Sequence, residues 1–573
     1  MELQTIDIII ILGFFLVTLI IGLAVSRKAG KSASEFFLSG RNMPWWLLGV
    51  SMVATTFAAD TPNLVAGIVR KDGIAGNWVW WAFLLTGMLT VFIYARLWRR
   101  LGISTDLEFY EIRYQGKIAA FLRGFRAIYL GVIFNIIVMA TVCLAGIKIG
   151  HVILGLEAWE TLTITGTITV IYALLGGLKG VILTDFFQFL VAMVGSIWAA
   201  YFIIDMPEVG GMDGLLSHDA VKEKLNMVPD RMDNYNLWMS AFLIPLAVQW
   251  WSAWYPGAEP GGGGYIAQRM LAAKDEKHAT AATLFFNFAH YALRPWPWII
   301  IALASIILFP EITDMQAAFP GLKESFYQED LAYSAMLTYL PAGLLGLVLA
   351  SLISAFMSTI STHLNWGSSY VVNDFYKRFV RPEATEKQLV FVGRISTALM
   401  MLCAALLSLV LEEAKAAFDL IVLVGAGTGL LFILRWFWRA INPYSEIVAM
   451  IVSFLVAVFF FIANKLGLEM NLTAELSISV GLTTVAWIGV TLLTQNEKYL
   501  NPEFEKRAFQ NDRKFKNMGY KVLSIFLGSV AIYAALFSIG NYILGNNTQA
   551  IYFGLAFIGG AIGITVFWKK LFD

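Results

Sequence analysis

The residues best suited to chemistry in this chain are hydroxyls inside an apolar helix. In Gly346-Leu-Val-Leu-Ala-Ser-Leu-Ile-Ser-Ala-Phe-Met-Ser-Thr-Ile-Ser-Thr-His363, Ser351, Ser354, Ser358, Ser361 and Thr362 recur at steps of three and four, with Thr359 beside them. That spacing stacks side chains on one helical face. Neutral oxygens grouped at membrane depth can replace the water shell of a small hard cation without the cost of burying several carboxylates. The same stripe also lets transmembrane helices pack closely, so spacing alone leaves both readings open.

Composition decides where such a helix must sit. The chain has 573 residues, of which 58% are hydrophobic and 14% charged, and a mean hydropathy of +0.69. This is too apolar for a soluble globular protein and places the chain in a lipid bilayer. A net charge of +1 gives no reason to invoke nucleic acid. The two cysteines, Cys143 and Cys403, both fall in apolar spans and imply neither a disulfide framework nor a metal-ligand spacing. Residues 6 to 26 follow an acidic lead (Glu2, Asp7) and lack a small-residue cleavage motif, so they are expected to remain as a membrane helix.

Apolar spans follow one another at 6–26, 43–68, 76–99, 123–150, 158–177, 181–205, 236–258, 279–309, 333–372, 389–411, 417–437, 443–464, 474–494, 520–542 and 549–570. The expectation is an all-α membrane protein with about fifteen transmembrane helices. Lys and Arg collect in alternate connections, among them Arg27/Lys28/Lys31, Arg96/Arg99/Arg100, Arg269/Lys274/Lys277, Lys377/Arg378/Arg381 and Arg513/Lys514/Lys516. Basic loops stay in the cytoplasm, which puts the N-terminus outside and the C-terminus inside. No connection is long enough for a catalytic domain, and the five histidines form no constellation with Asp or Glu, so no enzyme is expected.

Two spans are interrupted. The first contains Pro44, small and polar residues at mid-depth, and an Asp60-Thr-Pro62 break; the second, Leu237 to Tyr265, contains Pro245, Pro256, Pro260 and the run Gly261 to Gly264. Proline and glycine cannot sustain regular helix bonding there, and freed backbone is tolerated in a membrane only where it lines a cavity or meets a ligand. Each break opens a block of five spans, one entered from inside and one from outside, the mark of an inverted-repeat secondary transporter. The expected divisions are a leading helix and connector (1–42), a first repeat (43–205), a second repeat (236–437) and peripheral C-terminal helices (441–573).

These features come with text that resembles the sodium:solute symporter family, carriers of sugars, proline, pantothenate and sialic acid. The matching segments are Glu35-Phe-Phe-Leu-Ser-Gly-Arg-Asn-Met-Pro-Trp-Trp46, Thr105-Asp-Leu-Glu-Phe-Tyr-Glu-Ile-Arg113, and Tyr172-Ala-Leu-Leu-Gly-Gly-Leu-Lys-Gly-Val-Ile-Leu-Thr-Asp-Phe-Phe-Gln188. Gln268-Arg-Met-Leu-Ala-Ala-Lys274 and the hydroxyl helix followed by Asn373-Asp-Phe-Tyr376 complete the set. The resemblance implies a five-plus-five, leucine-transporter-like core and Na+ as the co-transported ion. It places one sodium between backbone carbonyls of Ala54, Phe57 and Ala355 and the hydroxyls of Ser358 and Thr359. It places a second sodium, found in some members, between Asp185, Ser358, Ser361 and Thr362. Counting residues from Pro341, Ser358 lies about 25 Å down its helix, at a depth similar to Asp185. Without an ion, Asp185 would read as a solvated carboxylate at a helix start.

The solute is expected near mid-membrane, among Asp60, Thr61, Trp250, Trp251, Trp254, His290 and Arg294. In sugar-carrying relatives a lysine on the eighth span touches the solute, and an ungapped register puts His290 there. Arg294 calls for a carboxylate, either on the solute or on Asp60 or Glu259. The tryptophans either stack on a sugar ring or belong to an interfacial belt. Trp254 to Tyr265 departs from the family pattern, and its glycines suit a longer flexible inner loop as well as a solute contact. Gly425-Ala-Gly-Thr-Gly429 lacks the strand and acidic residue of a dinucleotide loop and reads as helix packing. The expected activity is sodium-coupled import of a small organic solute, a sugar, sugar acid or other carboxylate, across a plasma (bacterial inner) membrane. A proton-coupled carrier or a non-transporting solute sensor of the same architecture are the alternatives.

Overall fold

The structure is a computed structural model that describes residues 3–56, 58–252, 259–320, 322, 324–411, 425, 427–468, 470–510 and 517–572. Among the described residues it is all helical, with isolated bridges in place of strands, Met43 to Ala273 and Tyr114 to Leu500. Eleven helices among the described residues are long and apolar enough to cross a membrane. The expected spans 43–68 and 236–258 are absent from that set because each is broken, and 417–437 lies partly outside the described residues.

Two expected spans, 158–177 and 181–205, are not separated by a loop. The run Ala158–Ile204 is two helices that meet directly across a kink, each about long enough for a hydrocarbon core of about 30 Å. The kink is at Gly177, whose φ of 52° and ψ of −159° lie outside helical geometry. Only glycine suits this bend, because a Cβ would come within 2.7 Å of the Phe36 carbonyl oxygen.

The hydroxyl helix, Leu344–Tyr370, is the centre of the molecule. Leu, Ala, Met and Ile fill the positions between the hydroxyls, so every face is acceptable to a protein interior. It packs along the kinked 158–204 helix and against the leading helix, Thr5–Ala29. The leading helix caps it: Asp7 Oδ1 accepts the Gly343 and Gly346 N–H groups, each at 2.7 Å. Two otherwise orphaned helix-start donors thereby meet a carboxylate placed at the positive end of the helix dipole. Around this centre stand the first broken helix (Trp45–Thr55, then Thr61–Asp72) and Glu276–Phe288. Met518–Ile543 and Asn547–Phe572 pair with each other at the periphery.

Candidate functional site

The first half of the broken helix ends at Thr56, and the second half begins at Thr61 with Pro62 in its first turn. Proline there needs no amide donor, so a helix can restart while the preceding carbonyls stay unmatched. Side chains from two other elements reach those carbonyls. Thr359 Oγ1 donates to the Thr55 carbonyl at 3.1 Å. Arg294 Nη1 donates to the Val53 carbonyl at 3.1 Å and lies 3.3 Å from Thr56 Oγ1. Thr55 Oγ1 meets Thr362 Oγ1 at 3.0 Å. The hydroxyl helix is therefore pressed directly on the break. Ala54 and Ala355 are buried at this contact; Phe57 lies outside the described residues.

Asp185 is not a solvated helix-start group. It is fully buried, eight residues past the Gly177 bend. Ser358 Oγ donates to Asp185 Oδ1 at 2.6 Å, and Ser51 Oγ donates to Oδ2 at 2.5 Å. Ser361 turns onto its own helix, donating to the Ser358 carbonyl at 3.1 Å. Carboxylate, hydroxyl and carbonyl oxygens of this kind are the donors that hard cations take. Among the described residues no three His, Cys, Asp or Glu side chains gather as a transition-metal site.

The third partner of Asp185 was not legible as such in the chain. Arg269, counted by sequence among cytoplasmic loop charges, is 0% exposed and holds Nη2 3.7 Å from Asp185 Oδ2. Its Nη2 donates to Thr362 Oγ1 at 2.7 Å, its Nε to Ser51 Oγ at 3.2 Å and its Nη1 to Gln268 Oε1 at 3.0 Å. The signal available in the chain was its setting: Gly264–Ala272 is a short helix whose other residues are uncharged and mostly apolar or small.

The proposed solute residues divide. His290 and Arg294 come together on Thr56, with His290 Nδ1 3.3 Å from Thr56 Oγ1 and the His290 ring against Trp80 and Tyr291. Asp60 is exposed at the start of the second half-helix, and Thr61 beside it is half-buried. The charged groups facing Asp60 are Lys148 and Asp330. Trp250 is half-buried, its carbonyl accepting from Thr86 Oγ1 and its ring against Trp251. Trp254 lies outside the described residues.

Glu259 is not a partner of Arg294: it forms a buried ion pair with Arg126. Nor do the glycines form a flexible loop, since residues 259 to 264 are buried throughout. Trp98 Nε1 donates to the Gly261 carbonyl at 2.8 Å, and Asp106 Oδ2 accepts the Gly264 N–H at 2.9 Å. Positive φ at Gly261 (84°) and Gly262 (94°) lets the backbone lie against the rings of Tyr94 and Trp98. Gly429 likewise serves packing, its Cα facing the Trp251 carbonyl.

An all-helical membrane protein whose broken helix offers carbonyls to a hydroxyl-bearing neighbour is a secondary carrier in form. The sodium:solute symporter family matches residues 36–453, and the chain belongs to that family. It is thus a multi-pass membrane transporter with sodium as its co-transported ion, not an enzyme. It is 24% identical over 542 residues to a sodium/glucose cotransporter of Vibrio parahaemolyticus, covering 91% of this chain and 97% of that one. It is 27% identical over 504 residues to a sodium/myo-inositol cotransporter of Bos taurus, covering 80% and 67%. Its fold is shared with a Na+-coupled sialic acid symporter solved in a substrate-bound, outward-open state, at a TM-score of 0.71 and 20% identity, covering 86% and 98%.

Proposed function

We propose that the chain imports a small polyhydroxylated solute, a sugar or a relative of one, with sodium bound where the hydroxyl helix meets the first break. The observation that carries this is the Thr359 hydroxyl on the Thr55 carbonyl beside Ser358 on Asp185. Sodium at Ala54, Phe57, Ala355, Ser358 and Thr359 would join the two elements and complete the solute site. A second sodium would use Asp185, Ser358, Ser361 and Thr362. Each ligand then stabilises the state the other needs, which is thermodynamic linkage.

For the solute, Asp60, Thr61, Trp250, Trp254, His290 and Arg294 remain the proposed surroundings. Of the classes expected, the polyol reading is supported by Asp60, which stands exposed as an acceptor for hydroxyls. The glucose and myo-inositol relatives favour the same class. The repeats 43–205 and 236–437, about fifteen spans, an outside N-terminus and inside C-terminus, and a plasma (bacterial inner) membrane location complete the proposal; the two breaks and the basic connections support it.

The test is sodium-dependent thermal stabilisation of the purified protein against sugars, polyols, sugar acids and amino acids, followed by accumulation in proteoliposomes. A polyol or sugar that stabilises only with sodium and then accumulates is the expected result. Preference for a carboxylate, or uptake driven by a pH gradient without sodium, defeats the reading. Asp185→Asn should lower the Hill coefficient for sodium toward one.

A further inference from the structure

The oxygens assigned to the second sodium already hold a positive charge that belongs to the protein. We propose that Arg269 is a tethered rival of that ion: its guanidinium neutralises Asp185 when the second sodium is gone, and sodium enters by displacing it. This rests on the reading of Asp185, Ser358, Ser361 and Thr362 as a sodium position.

Two of those four groups are the ones the guanidinium touches. Nη2 lies 2.7 Å from Thr362 Oγ1 and 3.7 Å from Asp185 Oδ2. Nε reaches Ser51 Oγ at 3.2 Å, and that same hydroxyl donates to Asp185. Both charged side chains are 0% exposed. Where water is excluded, two cations beside one carboxylate repel each other with little screening, so the binding of either weakens the hold on the other. Sodium and the guanidinium therefore compete at Asp185.

The displaced side chain has somewhere to go. Nη1 already donates to Gln268 Oε1 at 3.0 Å, and the guanidinium carbon lies 5.8 Å from the centre of the Tyr265 ring. Both partners lie on the short Gly264–Ala272 helix that carries Arg269. Unhooking from Asp185 would thus loosen this helix from the hydroxyl helix while the guanidinium keeps the amide and ring contacts it already makes. The second broken segment leads directly into that helix, so entry of sodium at the first break would be felt at the second. On release inward, the guanidinium returns and the unloaded carrier keeps a neutral pair at its centre, which suits a return through an apolar environment.

Binding of radiolabelled sodium to the purified full-length protein tests this without knowledge of the solute. Arg269→Gln should lower the K0.5 of the second ion by about tenfold, the effect of about one pKa-unit-sized interaction, with the number of ions bound unchanged. Arg269→Lys keeps the charge and should stay within about threefold of the unaltered protein. Unchanged or weakened sodium binding in folded Arg269→Gln overturns the proposal. Asp185→Asn separates the two ideas. If it removes one ion while Arg269→Gln fails to tighten binding, Arg269 is structural and the sodium assignment stands. If it removes none, the second sodium position itself is wrong. Should Arg269→Gln not fold, hydrogen exchange in the unaltered protein decides the matter: sodium, but not potassium, is expected to speed amide exchange across 264–272, and slowed or unchanged exchange overturns the proposal.

Discussion

The two broken helices share one problem, freed backbone groups, and differ in the partners that meet them. At the first break the unmatched groups are carbonyls, and they are met by donors from elsewhere: Thr359 on Thr55, Arg294 on Val53. At the second, carbonyls are met in the same way, by Thr86 on Trp250 and Trp98 on Gly261, but an amide of the glycine run is also met by a carboxylate, Asp106 on Gly264, and the neighbouring Glu259 is held by Arg126. A cluster of carbonyl and hydroxyl oxygens suits a cation that comes and goes. A carboxylate on an amide, backed by a buried ion pair, suits a fixed anchor. The difference teaches that helix interruption alone does not make a binding site; the charge and permanence of the partners that meet the freed backbone decide.

The largest test of this contrast lies at the anchor. Arg126→Leu would strand the buried Glu259 carboxylate and should cost about 3–5 kcal/mol in thermal or chemical unfolding, while any folded fraction keeps its sodium K0.5. A lost sodium response with stability intact would erase the distinction between the breaks. Next is Thr359→Ala. Sodium at a hundredfold its K0.5 should stabilise the unaltered protein by about 2.7 kcal/mol per site, and this increment should vanish in the variant, whereas its sodium-free stability falls by only about 1 kcal/mol. Equal sodium stabilisation in both proteins would move the ion elsewhere.

Arg294→Met leaves the Val53 carbonyl with only the Thr56 hydroxyl as a side-chain donor and is expected to cost about 1 kcal/mol. Because that carbonyl borders the proposed ion position, sodium affinity should change as well, in contrast to Arg126→Leu. The smallest effect belongs to Asp60→Asn. An exposed side chain should move stability by no more than about 0.5 kcal/mol, yet solute selectivity should shift. A stability loss comparable to that of Arg294→Met would place Asp60 in the scaffold and not at the solute.

Some of this is readable in the chain because it depends on local pattern. The hydroxyl face from Ser351 to Thr362 follows from helical periodicity, and the first break follows from Asp60-Thr-Pro62, where proline forbids continuous bonding. The membrane setting follows from apolar content. The division of 158–204 into two spans is readable as well, because a Gly-Gly pair signals a turn and the backbone leaves helical geometry at Gly177, although no loop intervenes. The glycine run reads as equally suited to a loose loop, since composition carries no information about Trp98 and Asp106, which arrive from residues far away.

By itself the sequence determined that this is a helical membrane protein with two interrupted spans and a hydroxyl face, since hydrophobic run length and backbone chemistry are properties of neighbouring residues. Only the tertiary structure decided which charges are neutralised and by what. Arg269 meets Asp185, Arg126 meets Glu259, and Asp7 caps a helix more than three hundred residues away (|i−j| of 339 for Gly346). The physical reason is that a buried charge is tolerable only with a partner, and no local pattern says which distant segment supplies it.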